Sequence, residues 1–528
     1  MACAWNPPVE EVADPTETSS KKRKIGPISF LAPSSSPPRR WESTSSSSST
    51  ELTVTPADDA VTVSNYRCVY KALSVLDISS LISFRYFHPE HAGPSFTREF
   101  NDIPHSTART QNTNVTPTSY DQLPLFDPNR PRFPHPYRMR HLGSMFFDHV
   151  GVHFPFLDRF DVLHRIEQRT CSAILSNCIA GLAVRFASHS QPDLADGSVF
   201  YEMAKTLVAN VVSVPSVETL HALICITWAE YGAGNDDGFR MYSRMAIAMC
   251  LDLGLGHEAT IQVAATPEVR HRLRITWWMV VCTADIAASW ATGRPATLDI
   301  RQFDTSLPEA TDDLSLLFRN ISELVVLRGK LDRVLVAHVD NLGDNSLDWD
   351  LSELQRALMN MFKDLPSTMM FNEENLARMH DQRAGHFFVH MHILIHAVSA
   401  LIHRPSLLPA YGLPVPMEGP RVEAAHTCAK SLADILMTVE NVAPQTLCDP
   451  FMNLPILVAC RIFIAESDAQ TSLAVSQSSD SRLLLSQCKR SLIRLSATWG
   501  GAVTFDNVME QHWGTHGDDL EPPVFSCQ

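Results

Sequence analysis

The chain lacks a Cys-x-x-Cys pair anywhere in its 528 residues, and its 12 cysteines are scattered singly. Most sit in apolar stretches such as Ile224-Cys225-Ile226 and Met249-Cys250-Leu251, where a thiol behaves as a small buried hydrophobe and suits a reducing compartment. Gly-x-Gly-x-x-Gly, Walker, Gly-x-Ser-x-Gly and His-Glu-x-x-His patterns are missing too, so no catalytic residue, cofactor or enzyme activity is expected. Positive charge is in deficit: 43 basic against 58 acidic side chains leave a formal net charge of -15, so DNA contact would need a local basic patch. The first residues, MACAWNPPVEE, have neither the basic start nor the apolar run of a secretory signal. The most apolar long stretch, Trp277 to Ala291, is shorter than a bilayer span and carries Asp285, so no membrane partner is expected.

What is present divides the chain unevenly. Apolar residues make up 45% and charged residues 19%, the balance of a globular protein with some low-complexity sequence. From Pro7 to about Thr55 the chain is rich in Ser, Thr and Pro and too poor in apolar side chains to offset the entropy of ordering. Residues 1–65 therefore read as a disordered tail. Residues 66–140 read as a linker with one short helix between Val69 and Phe87, 141–513 as a helical domain and 514–528 as a second tail. In the linker, Arg130, Arg132, Arg138 and Arg140 alternate with Phe133, His135 and Tyr137; a solvated segment leading into the folded domain is preferred to a phosphate-binding patch.

From Met145 onward, helical periodicity dominates, and the fold class expected is all-α, a large multi-helix regulatory domain. Leu220, Leu223, Ile224, Trp228 and Tyr231 recur at three- and four-residue steps, leaving Glu218, His221 and Glu230 off that face. After a Gly/Asn/Asp loop in which Asp236 or Asp237 could cap, Phe239, Tyr242, Met245, Ala246, Met249, Cys250 and Leu253 form a second stripe, stopped at Gly254 or Gly256. A third helix starts at Thr266-Pro267-Glu268 and is expected to run to about Ala291. Further helices are expected at Ile321–Val339, Leu351–Phe362, His386–His403, Ala424–Val439, Leu454–Ser467 and Arg482–Trp499.

The order of these segments resembles the middle homology region of fungal zinc-cluster transcription factors. The span Phe200–Gly256 resembles the family's paired-helix core. The span Arg270–Leu298 resembles its arginine-rich turn and helix, with Thr276-Trp277-Trp278, Asp285 and Gly293-Arg294-Pro295 as the structural signature. HFPFLDRF at His153–Phe160, HMHILIHAVSALIHRPSLL at His390–Leu408 and DPFMNLPILVACRIFI at Asp449–Ile464 resemble its opening, late and terminal motifs. The resemblance implies a fungal transcriptional regulator, controlling a metabolic or biosynthetic gene set and located in the nucleus. It departs from the family in two places. Only Cys3 and Cys68 occur in the first 170 residues, so the six-cysteine zinc cluster is absent from this chain, and Ala248 stands where the family has arginine. The implied partners are the transcription machinery or another DNA-binding regulator, with DNA reached indirectly, a small-molecule effector, and a second copy in a homodimer. Two other readings stay open: a conventional zinc-cluster factor whose cluster is missing from this chain, and a helical small-molecule-binding protein or enzyme.

Local clusters divide similarly. Lys21, Lys22, Arg23 and Lys24 form an exposed basic run that reads as a nuclear-localisation signal. His386, His390, His392, His396 and His403 include pairs four apart, at metal-ligand spacing, but packing roles are preferred and no metal is assigned. Cys171 and Cys178 are expected on one helix face as core, and Arg294 is expected to bond Asp285 or helix-end carbonyls. An aromatic and Met stripe with Trp228, Phe239, Met241, Tyr242, Met245, Met249, Trp277, Trp278 and Trp290 reads as core before cavity lining.

Overall fold

The computed structural model describes residues 123–187, 198–292, 296–338, 346–408, 419–470 and 478–503. Lys21 to Lys24, the helix expected from Val69 to Phe87 and the C-terminal tail lie outside the described residues. The described chain opens with a two-stranded antiparallel hairpin of β1 (Phe126–Asp127) and β2 (Arg130–Pro134), its turn closed where Asp127 Oδ1 accepts the Asn129 amide at 2.9 Å. Of the basic-aromatic stretch expected to be solvated, Arg132, Tyr137 and Arg140 are exposed, and Arg138 departs from the expectation. Arg138 is buried because its guanidinium donates to the Leu123 and Pro124 carbonyls, and Arg130 lies 3.5 Å over the Phe133 ring.

Helices follow. They are α1 (Pro136–His149), α2 (Arg159–Glu167), α3 (Ala173–Val184), α4 (Ser198–Val211), α5 (Val217–Ala233) and α6 (Asp236–Asp252). Next come α7 (Glu258–Gln262), α8 (Pro267–Met279), a π-helical segment (Val280–Ala287) and α9 (Ala288–Thr292). The second half holds α10 (Asp313–His338), α11 (Ser346–Lys363), α12 (Glu373–Asp381), α13 (Gly385–His403), α14 (Pro420–Val442), α15 (Asn453–Gln470) and α16 (Ser478–Thr498). The all-α expectation holds, with the short hairpin as the exception among the described residues.

Short polar side chains start the helices by accepting first-turn amides: Ser216 from Thr219 at 3.1 Å, Thr266 from Val269 at 3.3 Å with Pro267 behind it, and Asn372 from Asn375 at 2.7 Å. For α6 the cap is Asn235, one residue before the expected aspartates, which instead occupy the first turn where negative charge is favoured. Ser172 caps α3 by accepting the Leu175 amide, which leaves Cys171 ahead of the helix and off the face of Cys178; both cysteines are buried.

Antiparallel neighbours such as α5 with α6, α13 with α14 and α15 with α16 pack face to face, and one continuous apolar cluster extends from Met139 to Trp499. At its centre lies α13, long and apolar enough to cross a membrane by composition, but wrapped by α10, α12, α14 and α15. Its Phe388, Val389, Met391 and Ile393 are fully buried, as the core helix of a folded domain requires. Glu230, expected off the apolar face of α5, is buried as well, and its charge is met by Lys205 Nζ at 2.5 Å from α4.

Candidate functional site

Three segments distant in sequence meet inside the fold. The 3-10 turn Gly151–His153 supplies His153, α13 supplies His386 and His390, and the stretch preceding the 3-10 turn Pro450–Met452 supplies Cys448 and Asp449. Beside them is a cavity of about 70 Å³. Aromatic rings from four helices wall it, among them Trp228, Trp290, Phe318 and Phe387, together with Phe451. Trp228 meets Phe451 edge-on at 5.0 Å, and Tyr231 stacks on the other side of Phe451 at 4.3 Å. Of the aromatic and Met stripe, Trp228 and Trp290 face this cavity; Phe239 and Trp277 are core, and Met241 is 50% exposed.

Part of the polar lining converges on Asp449. His390 Nδ1 stands 2.7 Å from Asp449 Oδ2, His153 Nδ1 stands 3.6 Å from the same oxygen, and the Phe451 amide donates to Asp449 Oδ1 at 2.9 Å. Burial alone would raise the Asp449 carboxyl, but the two imidazoles and these hydrogen bonds bring it below its ordinary value, so it stays ionised. Burial pulls His153 down to about 3, leaving it neutral, and pushes the Cys448 thiol well up, so Cys448 is no thiolate nucleophile at neutral pH. Arg328, 2% exposed, also lines the cavity; it pairs with Asp332 at 2.5 Å one turn along α10 and lies 4.9 Å over Trp290. A more open cleft of about 290 Å³ between α10 and α11 has no such convergence; Glu323 and Asp364 are the ionisable residues in its walls.

The signature residues of the Trp-rich segment are structural in placement. Thr276 Oγ1 donates to the Arg272 carbonyl at 2.9 Å and meets His221 Nε2 at 2.9 Å; Trp277 packs on Phe303, and Trp278 Nε1 donates to the Ser306 carbonyl. The single helix expected to Ala291 widens into the π segment after Met279, and such an insertion re-registers the residues that follow. Asp285 lies in this segment and accepts three bonds: from the Thr297 amide at 2.6 Å, the Thr297 hydroxyl at 2.7 Å and the Leu298 amide at 3.0 Å. Gly293, Arg294 and Pro295 lie outside the described residues, so the expected Arg294 bond is not described. Burial raises the Asp285 carboxyl despite these bonds. Asp285→Ala is expected to strand two backbone donors and cost about 2 kcal/mol, while Asp285→Asn, which keeps one acceptor, costs less. Urea midpoints of the two variants check the order, and equal midpoints would refute the anchoring role.

Residues 144–323 match the fungal specific transcription factor domain. The match covers 180 of the 528 residues. It is 28% identical over 153 residues to the nitrogen assimilation transcription factor nirA of Emericella nidulans, covering 26% of this chain and 17% of that protein. It is 23% identical over 200 residues to the acetamidase regulatory protein of Aspergillus fumigatus, covering 37% and 25%. A third relative, an uncharacterized transcriptional regulatory protein of Schizosaccharomyces pombe, is 28% identical over 209 residues, covering 37% and 56%. The matched segments therefore span well under two thirds of each relative. No solved structure matches the chain.

The matched segment contains His153, Trp228, Thr276 to Trp278, Asp285 and Phe318, whereas His386, His390, Cys448 and Asp449 follow it in sequence. The cavity thus joins the matched domain to the later helices. Helical spacing directed attention to histidine pairs four apart in α13, and one of them, His386 with His390, does reach the site, His390 against Asp449, whereas His392 turns away to the Met369 carbonyl at 2.8 Å. The convergence of His386 with His153 and Cys448 crosses three segments, and no local spacing encodes it.

Proposed function

We propose that this protein is a nuclear regulator of transcription in a fungus, acting through its helical domain on the transcription machinery or on another DNA-binding regulator. The match of residues 144–323 to the fungal specific transcription factor domain carries this reading. The basic run Lys21 to Lys24 supports nuclear entry, since four clustered cations offer an importer a charged handle while giving DNA only weak, salt-sensitive attraction. Chromatin immunoprecipitation of the tagged full chain is expected to enrich a set of promoters, and deletion of the gene to change their transcripts. Replacing Lys21, Lys22, Arg23 and Lys24 by alanine is expected to move the protein to the cytoplasm and abolish that enrichment. A chain that stays out of the nucleus under every nutrient condition would sink the proposal.

The cavity favours a second layer of control by a small apolar effector, with Arg328 and the His390–Asp449 pair as polar contacts. Its size sets the terms. At about 70 Å³ it falls short of the roughly 300–1,000 Å³ of established ligand pockets, so a metabolite would have to displace the Trp290 or Phe318 side chain to enter.

A further inference from the structure

We propose that His153, His386 and Cys448 form a binding site for a zinc ion that ties the 3-10 turn after α1, helix α13 and the Cys448-Asp449 stretch together. One nitrogen of each histidine and the Cys448 sulfur lie within 4.8 Å of one another. Tetrahedral zinc with Zn–N of about 2.05 Å and Zn–S of about 2.3 Å holds nitrogen and sulfur about 3.6 Å apart. Cys448 Sγ lies 3.1 Å from His386 Nδ1 and 3.8 Å from Nε2, so the donors are already gathered at about the required separation and a turn of the imidazole aims Nε2 at an ion beside the sulfur.

The groups behind the donors have the roles a metal site needs. A ligating histidine turns its other nitrogen to a carbonyl or carboxylate, which fixes the ring and raises its basicity. His386 Nδ1 lies 3.0 Å from the Thr446 carbonyl, and His153 Nδ1 faces Asp449 at 3.6 Å. His153 itself is fully buried, and neither of its ring nitrogens makes a hydrogen bond. An imidazole without hydrogen bonds in a protein interior costs free energy unless something else meets its lone pair. A cation does so, and it converts the Cys448 thiol into a thiolate by releasing a proton to solvent. The charges then balance: two positive on zinc, one negative on Cys448 and one on Asp449, itself held by His390. Two nitrogens and a sulfur select zinc over magnesium or calcium, which require oxygen ligands.

The test uses the full chain without a polyhistidine tag, stripped with chelator and reloaded with Zn²⁺ or Co²⁺ alone. About one zinc per chain is expected, together with the near-ultraviolet thiolate-to-cobalt absorption of a Cys-ligated site. Cys448→Ser is expected to abolish that absorption and His386→Ala to weaken zinc binding by more than about tenfold. Cys428→Ser, which alters a buried thiol bonded to Ser399 elsewhere, is expected to leave both unchanged. Wild-type protein that binds no zinc, or cobalt without the thiolate band, overturns the site whether or not the variants fold. Metal retained at full stoichiometry by folded Cys448→Ser and His386→Ala overturns it too.

Discussion

Trp499→Ala is expected to cost about 3–5 kcal/mol, because the site it vacates is lined by groups that cannot close over it. Trp499 is fully buried just beyond α16; its indole Nε1 donates to the Cys448 carbonyl at 2.5 Å, and the Arg185 guanidinium lies 4.8 Å over its ring. The ring sits on Gly232 of α5 so closely that a Cβ there would lie 2.0 Å from Trp499 Cε3. No side chain can share that space, so Gly232→Ala must push the ring away and is expected to cost about 1–3 kcal/mol by overpacking. The two changes meet at one contact. Gly232→Ala combined with Trp499→Leu should therefore cost less than the sum of the single variants, whereas independent sites would add. Trp499→Phe isolates the indole bond, since the lost donor leaves the Cys448 carbonyl unsatisfied at about 1 kcal/mol or more. Denaturant midpoints of these variants, with Trp499→Leu also measured alone, decide it, and additivity of the pair would refute the contact as the source of the cost. The consequence reaches the cavity, because Cys448 and Asp449 are adjacent in the chain and the Trp499 bond holds their segment against α5.

Much of this framework is legible in sequence, and the boundary of legibility is physical. The Thr266-Pro267 start, the Gly254 stop and the apolar stripes of α5 and α6 depend on neighbours within one turn, so spacing reveals them. The Phe200–Leu298 blocks made the family visible for the same reason: they preserve order and type along the chain. What spacing hid depends on partners far away in sequence. Glu230 looked solvated until Lys205 arrived from another helix, and Arg138 looked solvated until the Leu123 and Pro124 carbonyls took its donors. The π segment carries Asp285, whose partners Thr297 and Leu298 stand twelve and thirteen residues on, outside the reach of helical spacing. Least visible was the junction of His153, His386 and Cys448, which needs the whole tertiary fold before any two of its members are neighbours.

Acidification supplies the second large effect: metal-free protein is expected to lose about 3 kcal/mol of stability between pH 7.5 and 5.5 from two histidines alone. His153 and His392 are 0% and 1% exposed, and burial pulls each imidazole down to about 3. In the unfolded chain both return to about 6.5. Between those values the unfolded state binds more protons than the native one, so falling pH draws the equilibrium toward it. The contribution of the neutral rings is complete above about pH 6.5 and is lost as pH falls toward 3, at about 1.4 kcal/mol per ring for each pH unit. His221 and His396, half-buried and also lowered by burial, act in the same direction. Asp449 follows in a lower window: its depressed carboxyl contributes above the ordinary carboxylate range, and that contribution disappears only as pH falls through its lowered value. Histidine-linked loss therefore precedes carboxylate-linked loss. Denaturant titrations at several pH values should show the steepest change between 6.5 and 5, and His392→Gln, whose amide can still donate to the Met369 carbonyl, should make that slope about one proton shallower. A midpoint that stays level from pH 7.5 to 5.5 would show that these rings titrate in the native state, and hence that the interior around α13 admits water.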